Sequence, residues 1–326
     1  MDNKEFSRRR FLGSTALALG GVTLLTDSVF GMPAYIKNLD KPNSKFNGVQ
    51  VGAITYSWRS MPSDAEHILQ YCKDCNISAI ELMGYTAEPF VGAPKAPQFD
   101  RGGLPADQKR ERDEYHGKMA EWRTSVPMKK FEQLRKMFNK AGVSIYAYKP
   151  DALEARNSDA EVDYALRAAK ALGASHVTVE IPRDSAQSKR LGEIAAKNKI
   201  YVAYHGHLQQ TPTAWDEALG QSKYNALNLD MGHYTAAGYD PLPLIREKHQ
   251  HILSMHTKDR KSKENGQANV VWGQGDTPIV EALQLIRDNK YKFPVTIELE
   301  YSIPEGSNAV KETAKCVEYA RKALMA

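Results

Sequence analysis

Short strand-like runs alternate with longer helical stretches from residue 47 to the C-terminus, and this alternation constrains the fold most. The strand-like runs are rich in Val, Ile and Tyr, while apolar residues in the longer stretches recur every three or four positions. This pattern predicts βα units and a parallel sheet. The eight candidate strands span residues 49–57, 77–83, 143–149, 176–181, 199–205, 226–231, 251–256 and 294–300.

Eight helical segments lie between or after these strands, which completes the count for a closed barrel. They span residues 64–74, 128–141, 159–172, 188–197, 214–219, 242–248, 277–288 and 308–324. An open doubly wound sheet is the alternative, but it usually begins with a glycine-rich phosphate loop, and no G-x-G-x-x-G follows the first strand. We therefore predict an α/β fold, a single-domain (β/α)8 TIM barrel over residues 47–326.

The first 31 residues have the layout of an export signal. Three arginines, Arg8 to Arg10, precede an apolar run from Phe11 to Leu25 that is rich in small residues. The pattern Ser-Arg-Arg-x-Phe-Leu also resembles the twin-arginine signal of exported bacterial proteins. We expect a twin-arginine-type signal at 1–31, a linker at 32–46, contact with the twin-arginine export machinery, and a periplasmic or membrane-associated protein. A basic amphipathic helix is the alternative.

Composition indicates a globular chain with a sizeable core and no nucleic-acid partner. It is 42% hydrophobic and 25% charged, and the body of the chain has no apolar run of the ~18 residues that a membrane helix needs. The formal charge of +5 comes partly from the signal-like segment, and elsewhere Lys and Arg alternate with Asp and Glu. A basic stripe for nucleic acid is therefore not expected. A homo-oligomer is left open.

The cysteine pattern could indicate either a redox or zinc pair or simple helix packing. Cys72 and Cys75 form C-x-x-C, but they lie near the end of an amphipathic helix, and Cys316 is the only other cysteine. Without a second pair, we interpret all three as buried residues.

One connection is much longer than a normal βα loop. Residues 84–126 separate the second strand from its helix. Because every βα loop of a barrel lies on the catalytic face, we expect this long loop insertion to cover the site. A solvated disordered insert is the alternative.

Polar side chains stand at the ends of many of the strands. They are Glu81, Tyr148, Lys149, Glu180, His205, His207, Asp230, His233, His256, Glu298 and Glu300. Catalytic groups in such barrels come from these ends because the ends meet at one mouth. Glu180, Asp230, His256 and Glu298 are predicted at similar depth, and three carboxylates with one imidazole suit a divalent metal.

The motifs around these residues resemble the xylose isomerase-like TIM barrels, which include D-tagatose 3-epimerase, inosose dehydratase and endonuclease IV. The resemblance rests on Glu180, the D-x-x-H of Asp230 and His233, "HTKD" from His256, "WGQGDTP" at 272–278, and "IELE" around Glu298. It implies one divalent metal, commonly manganese, cobalt or magnesium and with zinc as a further option, held by Glu180, Asp230, His256 and Glu298. It also implies that His233 contacts substrate.

The resemblance does not extend to the nuclease branch. Endonuclease IV holds three zinc ions with further histidines from the second and third strands, where this chain has Glu81 and Lys149. The incomplete set argues against DNA cleavage.

A metal in such a mouth would favour chemistry next to a carbonyl, because it stabilises an enediolate. We expect Glu180, Glu298 and Lys149 to transfer protons, and His233, His205, His207, Glu81 and Arg183 to bind a carbohydrate substrate. Reprotonation gives epimerisation or isomerisation, and loss of a β-substituent gives elimination. Because an exported protein meets few sugar phosphates, we expect an unphosphorylated sugar or keto-sugar. The alternatives are a 3-keto-glycoside lyase or hydrolase, an inosose dehydratase-like dehydratase and a non-catalytic sugar-binding barrel.

Overall fold

The fold is the predicted (β/α)8 barrel. A computed structural model of the chain describes residues 41–97 and 106–326. Its eight parallel strands are β1 (Val49–Ile54), β2 (Ala79–Met83), β3 (Ser144–Lys149), β4 (His176–Glu180), β5 (Tyr201–His205), β6 (Asn225–Asp230), β7 (Ile252–Thr257) and β8 (Val295–Ile297). Each strand pairs with the next, and β8 pairs with β1, so the sheet closes. The eight-stranded prediction is confirmed.

Neighbouring strands place the candidate residues at matching heights. Glu180 on β4 lies opposite His205 on β5, and Asp230 on β6 lies opposite His256 on β7. Glu298 follows β8 directly, and its backbone nitrogen hydrogen-bonds to the end of β7. Register alone therefore brings these polar side chains to one rim of the barrel.

Helices surround the strands at close to the predicted positions. They are α1 (Ala65–Asp74), α2 (Gly84–Phe90), α3 (Ala106–Ser125), α4 (Met128–Lys140), α5 (Asp159–Leu172), α6 (Ser185–Asn198), α7 (Asp216–Gln221), α8 (Met231–Ala236), α9 (Pro241–Lys248), α10 (Ile279–Asp288) and α11 (Ala309–Met325). Helix α5 illustrates the capping signals, because Ser158 and Glu161 form a capping box and Gly173 ends the helix at φ 81°.

The long connection after β2 contains two helices, α2 and α3, where the sequence predicted a loop. Helix α3 is rich in Glu, Lys and Arg and has no continuous apolar stripe, so periodicity gave no signal. Its inner side is fixed by Arg123, which is only 5% exposed and donates to Glu88 of α2 and Glu161 of α5. The described part of the insertion is therefore attached to the barrel by buried charges.

The barrel interior is polar just below the rim. Fully buried Glu81 accepts a hydrogen bond from Thr178, and Asn228 donates to Ser254. Ser254 also bonds to the ring of His176. Apolar packing lies mainly between the outer face of the strands and the helices. The interior network gives His205 and His256 at the rim fixed partners beneath them, Asn228 and Glu81.

The three cysteines are buried and free, as the packing interpretation predicts. Burial raises the pKa of the Cys72 and Cys75 thiols well above their ordinary values. The signal-like segment 1–31 lies outside the described residues. Among the residues that the structure describes, no helix is both long and apolar enough to cross a bilayer.

Replacing Arg123 by alanine should destabilise the protein strongly, because it leaves Glu88 and Glu161 buried without their cation. Breaking a buried pair in this way typically costs about 3–5 kcal/mol of unfolding free energy. Urea denaturation of the purified protein measures it. Arg110→Ala on the same helix is the matched control, because its contact with Glu114 is 3.9 Å long and highly exposed. Equal stability of the two variants would contradict the anchoring role.

Candidate metal centre and active site

Four buried side chains meet at the ends of four successive strands. His205, Asp230, His256 and Glu298 come from β5, β6, β7 and the residue after β8. One ligand atom from each lies within 4.8 Å of the others. Three of the four belong to the set predicted from sequence, and His205 joins them where Glu180 was expected. Two imidazoles and two carboxylates are a donor set suited to a divalent transition metal.

The tautomer of His205 follows from its neighbours. The amide nitrogen of Asn228 donates to Ser254 and faces the carboxylate of Glu81, so the Asn228 oxygen accepts from His205 Nδ1 at 2.8 Å. His205 Nε2 then carries a lone pair. It faces Asp230 Oδ2 at 3.8 Å, where both atoms are acceptors. A cation between them would turn this repulsion into attraction.

His256 lies between two carboxylates. Its Nε2 is 2.8 Å from Glu81 and its Nδ1 is 3.2 Å from Glu298. Burial opposes a charge on the ring, but the two carboxylates outweigh burial and raise the pKa of His256 to about 10. The ring is therefore an imidazolium in the metal-free protein. Because Glu81 fixes the proton on Nε2, Nδ1 is the nitrogen that a metal could use after losing its proton.

Lys258 is a central residue that the sequence analysis did not single out. Its Nζ lies 2.6 Å from Glu298, 2.8 Å from Glu300 and 2.9 Å from Asp230. Lys258 is two residues after His256, so strand alternation could have placed both on the same side. Its buried ammonium partly neutralises the carboxylates of the rim.

The site still contains more carboxylates than cations. The carboxylates are Glu81, Glu180, Asp230, Glu298 and Glu300, and the cations paired with them are Lys149, Lys258 and protonated His256. The carboxylates therefore outnumber these cations, and the loss of the His256 proton on metal binding would remove one more positive charge. A divalent ion carries charge that would offset this excess.

Glu180 lies beside the cluster. Its carboxylate is 49% exposed and accepts from Lys149 Nζ at 2.8 Å and from His207 Nε2 at 2.9 Å. Burial disfavours the charge, but the hydrogen bond from His207 and the charge of Lys149 outweigh it and hold the pKa of Glu180 well below its ordinary value. Glu180 is therefore ionised at neutral pH. Its role as a metal ligand stays a prediction.

The other predicted substrate residues occupy different depths. Glu81 is fully buried under His256, so its contact is with that ring and not with the open mouth. Arg183 is exposed at the edge of a cavity of about 470 Å³ that also reaches Lys149 and Glu180. His207 is half exposed beside Glu180. A ligand in the mouth would meet His207 and Glu180 before it met Glu81.

The D-x-x-H motif is a helix cap. Asp230 ends β6 and caps α8, and its Oδ1 accepts from His233 N at 2.8 Å. This turn directs His233 into the mouth. Burial and the nearby positive charge of Lys258 lower the pKa of His233 to about 3, so its ring is neutral. The cap therefore positions two site residues with one hydrogen bond.

The "WGQGDTP" segment is held by an aspartate. Asp259 Oδ2 accepts from Gly273 N at 2.8 Å and from Gly275 N at 2.9 Å. A Cβ on Gly275 would collide with the Asp259 carboxylate, so only glycine fits there. The motif thus forms part of the site wall after β7, and its two glycines are explained by their contacts with Asp259.

The fold and this mouth define a class of (β/α)8 proteins with a candidate cation site at the strand ends. The family model that matches residues 69–321 is described as "Xylose isomerase-like TIM barrel". The chain therefore belongs to the xylose isomerase-like TIM barrel family, as the motifs predicted.

A curated relative is an inosose dehydratase of Clostridium botulinum, 26% identical over 155 residues. The match covers 38% of this chain and about half, 52%, of that relative. Its activity is therefore not transferred here.

Solved structures with the same fold include a probable 3-DHS dehydratase of Bacillus anthracis (TM-score 0.58, 17% identity, covering 82% of this chain and 98% of that one). The 3-keto-D-glucoside 4-epimerase of E. coli has a TM-score of 0.56 at 10% identity, covering 83% and 99%. The D-psicose 3-epimerase of Clostridium cellulolyticum has a TM-score of 0.56 at 11% identity, covering 84% and 99%. Epimerases and dehydratases thus share this fold.

Gly232→Ala should disturb the site through Lys258. A Cβ at position 232 would collide with Cγ and the carbonyl oxygen of Lys258. Overpacking of this kind typically costs about 1–3 kcal/mol of unfolding free energy, measured by denaturation. Gly117→Ala is the control, since no other group lies within 4 Å and alanine favours a helix by ~1 kcal/mol. A Gly232→Ala protein as stable as the wild type would be evidence against this packing.

Proposed function

We propose that this protein is a divalent-metal-dependent sugar isomerase or epimerase that acts on an unphosphorylated sugar or keto-sugar. The observation that carries the proposal is the pair of facing acceptors, His205 Nε2 and Asp230 Oδ2, inside a site with excess negative charge. Two buried acceptors that face each other in this way repel one another, and a cation between them would offset that repulsion. Lys258 supplies part of that charge, and a divalent ion would supply the rest.

Asp230, His256 and Glu298 would hold the ion together with His205. Glu180 lies outside this cluster of four and is directed toward Lys149 and His207. We therefore assign Glu180 to proton transfer. When bound, a manganese, cobalt, magnesium or zinc ion would supply Lewis acidity at a sugar carbonyl.

The exposure and charge of Glu180 support a role as the base that removes a proton next to the carbonyl. It is ionised, half exposed and beside the cavity at the mouth. Lys149 and His207 each hold one of its oxygens, so either can receive or return a proton. Glu298 is buried against Lys258 and His256, which suits a ligand better than a mobile base.

The positions of the cations support an unphosphorylated substrate. Lys149, Lys258 and Arg260 are each engaged with carboxylates or with backbone and ring atoms. Binding a phosphate beside the metal cluster would require one of them to break these contacts, whereas Arg183 is exposed and lies farther out, at the cavity edge. The export-type signal, which stays a prediction, supports the same substrate class.

A second candidate function is elimination or hydrolysis of a keto-glycoside, or dehydration. It is favoured by a relative described as an inosose dehydratase and a neighbour described as a probable 3-DHS dehydratase, while the neighbour described as a 3-keto-D-glucoside 4-epimerase supports only the keto-glycoside substrate class. Elimination and epimerisation can both begin with loss of a proton beside a carbonyl, so the same residues serve both. A binding role without catalysis has less support, because Glu180 has two proton-transfer partners.

Purified protein should bind about one divalent ion per chain, and Asp230→Ala or His256→Ala should lose it. The loss of affinity should exceed the roughly 10- to 100-fold typical of changes behind a metal ligand. Elemental analysis and manganese titration measure it. His205→Ala should weaken binding similarly, while Glu180→Gln should retain the ion. Glu305→Gln, an exposed carboxylate, is the control. Protein that neither contains nor binds metal would contradict the proposal.

Incubation with keto-sugars in deuterated water should place deuterium on the carbon beside the carbonyl. Glu180→Gln should slow this exchange by about 10²- to 10⁴-fold, the range expected when a general base is removed. Mass spectrometry gives the rate, and metal content is measured in each variant. Product identity then distinguishes epimerase, isomerase and lyase. Exchange that is independent of both metal and Glu180 would refute the mechanism.

A further inference from the structure

Arg260 holds the ring of His233 in one orientation. It is buried and follows Asp259 in a short strand that pairs with Asn269–Val270. Its Nε and Nη2 donate to the backbone oxygen of Gln267 at 3.2 and 2.6 Å. Its remaining terminal nitrogen, Nη1, contacts Nδ1 of His233.

This contact determines which ring nitrogen carries the proton. A guanidinium has only donors, so His233 Nδ1 must accept. A neutral ring that accepts at Nδ1 carries its hydrogen on Nε2. His233 therefore presents an N–H to the mouth of the barrel.

The N–H of His233 has no hydrogen-bond partner among the described residues. Nε2 is buried, and its nearest acceptors are Glu300 at 3.8 Å and Asp230 at 4.0 Å, both beyond hydrogen-bond length. A buried donor without a partner costs about 1–3 kcal/mol. A ligand oxygen placed between these groups would remove that cost.

We propose that Arg260 is a positioning residue that fixes His233 as a neutral Nε2–H donor, and that this donor selects an oxygen acceptor on the substrate. This inference rests on the proposed function and names the group recognised: a sugar hydroxyl or carbonyl oxygen next to the metal cluster. An ammonium at the same position, as in an amino sugar, has no lone pair to offer and is disfavoured.

The same tautomer excludes a second ion at the neighbouring histidines. His205, His207 and His233 also have ligand atoms within 4.8 Å of one another. However, His233 Nε2 carries a hydrogen and its Nδ1 accepts from Arg260. Neither nitrogen of His233 therefore has a free lone pair for a metal. These rings form a hydrogen-bonding wall beside the metal cluster.

Long-range proton–nitrogen spectra of protein labelled with ¹⁵N-histidine test the tautomer at one fixed pH, without substrate. His233→Gln identifies the signal by its loss. The expected wild-type result is a hydrogen on Nε2 and none on Nδ1, before and after magnesium is added. Arg260→Met should give a mixture of tautomers or a doubly protonated ring. A wild-type ring protonated on Nδ1 would overturn the proposal.

Two control variants distinguish a specific effect of Arg260 on His233 from a general loss of packing around the site. Gln267→Gly removes the side-chain bond from Gln267 to Ala236 but keeps both backbone bonds to Arg260, so it should leave the tautomer unchanged. Arg260→Lys should restore part of the wild-type signal, because lysine also only donates. If Gln267→Gly changes the signal as much as Arg260→Met, the proposal fails.

The substrate half is tested by deuterium exchange with a keto-sugar. His233→Gln can present an N–H at the distance of Nε2 and should retain at least tenfold more activity than His233→Leu. Equal losses would overturn the donor role. Zinc titration gives a further check. Binding of two zinc ions per chain, with loss of the hydrogen on His233 Nε2, would contradict the donor role of His233. The tautomer is measured in the resting protein, so it is decided separately from the proposed activity.

Discussion

The arrangement of the mouth depends on one electrostatic constraint: buried carboxylates and the lone pair of His205 converge where four strands end. Asp230 and Glu298 point at a common centre, and Lys258 reaches into it as a positively charged side chain. The side chain of Lys258 packs directly against Gly232 in the "DMGH" turn, where a Cβ would collide with it. The glycine therefore leaves the space that Lys258 needs to reach these acids. A metal ion would share this role with Lys258.

A hydrogen-bond network beneath the rim fixes what the rim can do. Glu81 holds His256, and Asn228 holds His205, so the orientation of each ring is defined before any ligand arrives. Arg260 does the same for His233 from the side. A site whose donors and acceptors are fixed in advance loses little entropy or reorganisation energy when it binds its ligand.

The sequence predicted the barrel and most of its rim because strand ends are read directly from β-branched runs and from the polar residues that close them. Asp230, His256 and Glu298 were found in this way. His205 was assigned to substrate binding because sequence cannot tell which of two adjacent strand ends turns inward, and register placed it level with Glu180. Lys258 was overlooked because a lysine after a strand is usually solvated. Helix α3 was missed because its charged residues conceal any periodicity, and α2 because it has only seven residues and includes Gly84 and Pro89.

Because Arg123 links the insertion to the barrel through buried ion pairs, the stability of the barrel depends on the insertion. Glu88 lies in α2 and Glu161 lies in α5, and both accept from the guanidinium of Arg123 in α3. Tyr164 of α5 also donates to Glu88. A descendant that lost residues 106–125 would keep these acids without their partner. Shortening the loop would therefore require compensating replacements at both acids first. The described part of the insertion is therefore a structural component of the barrel, because its removal would leave two buried acids without their cation.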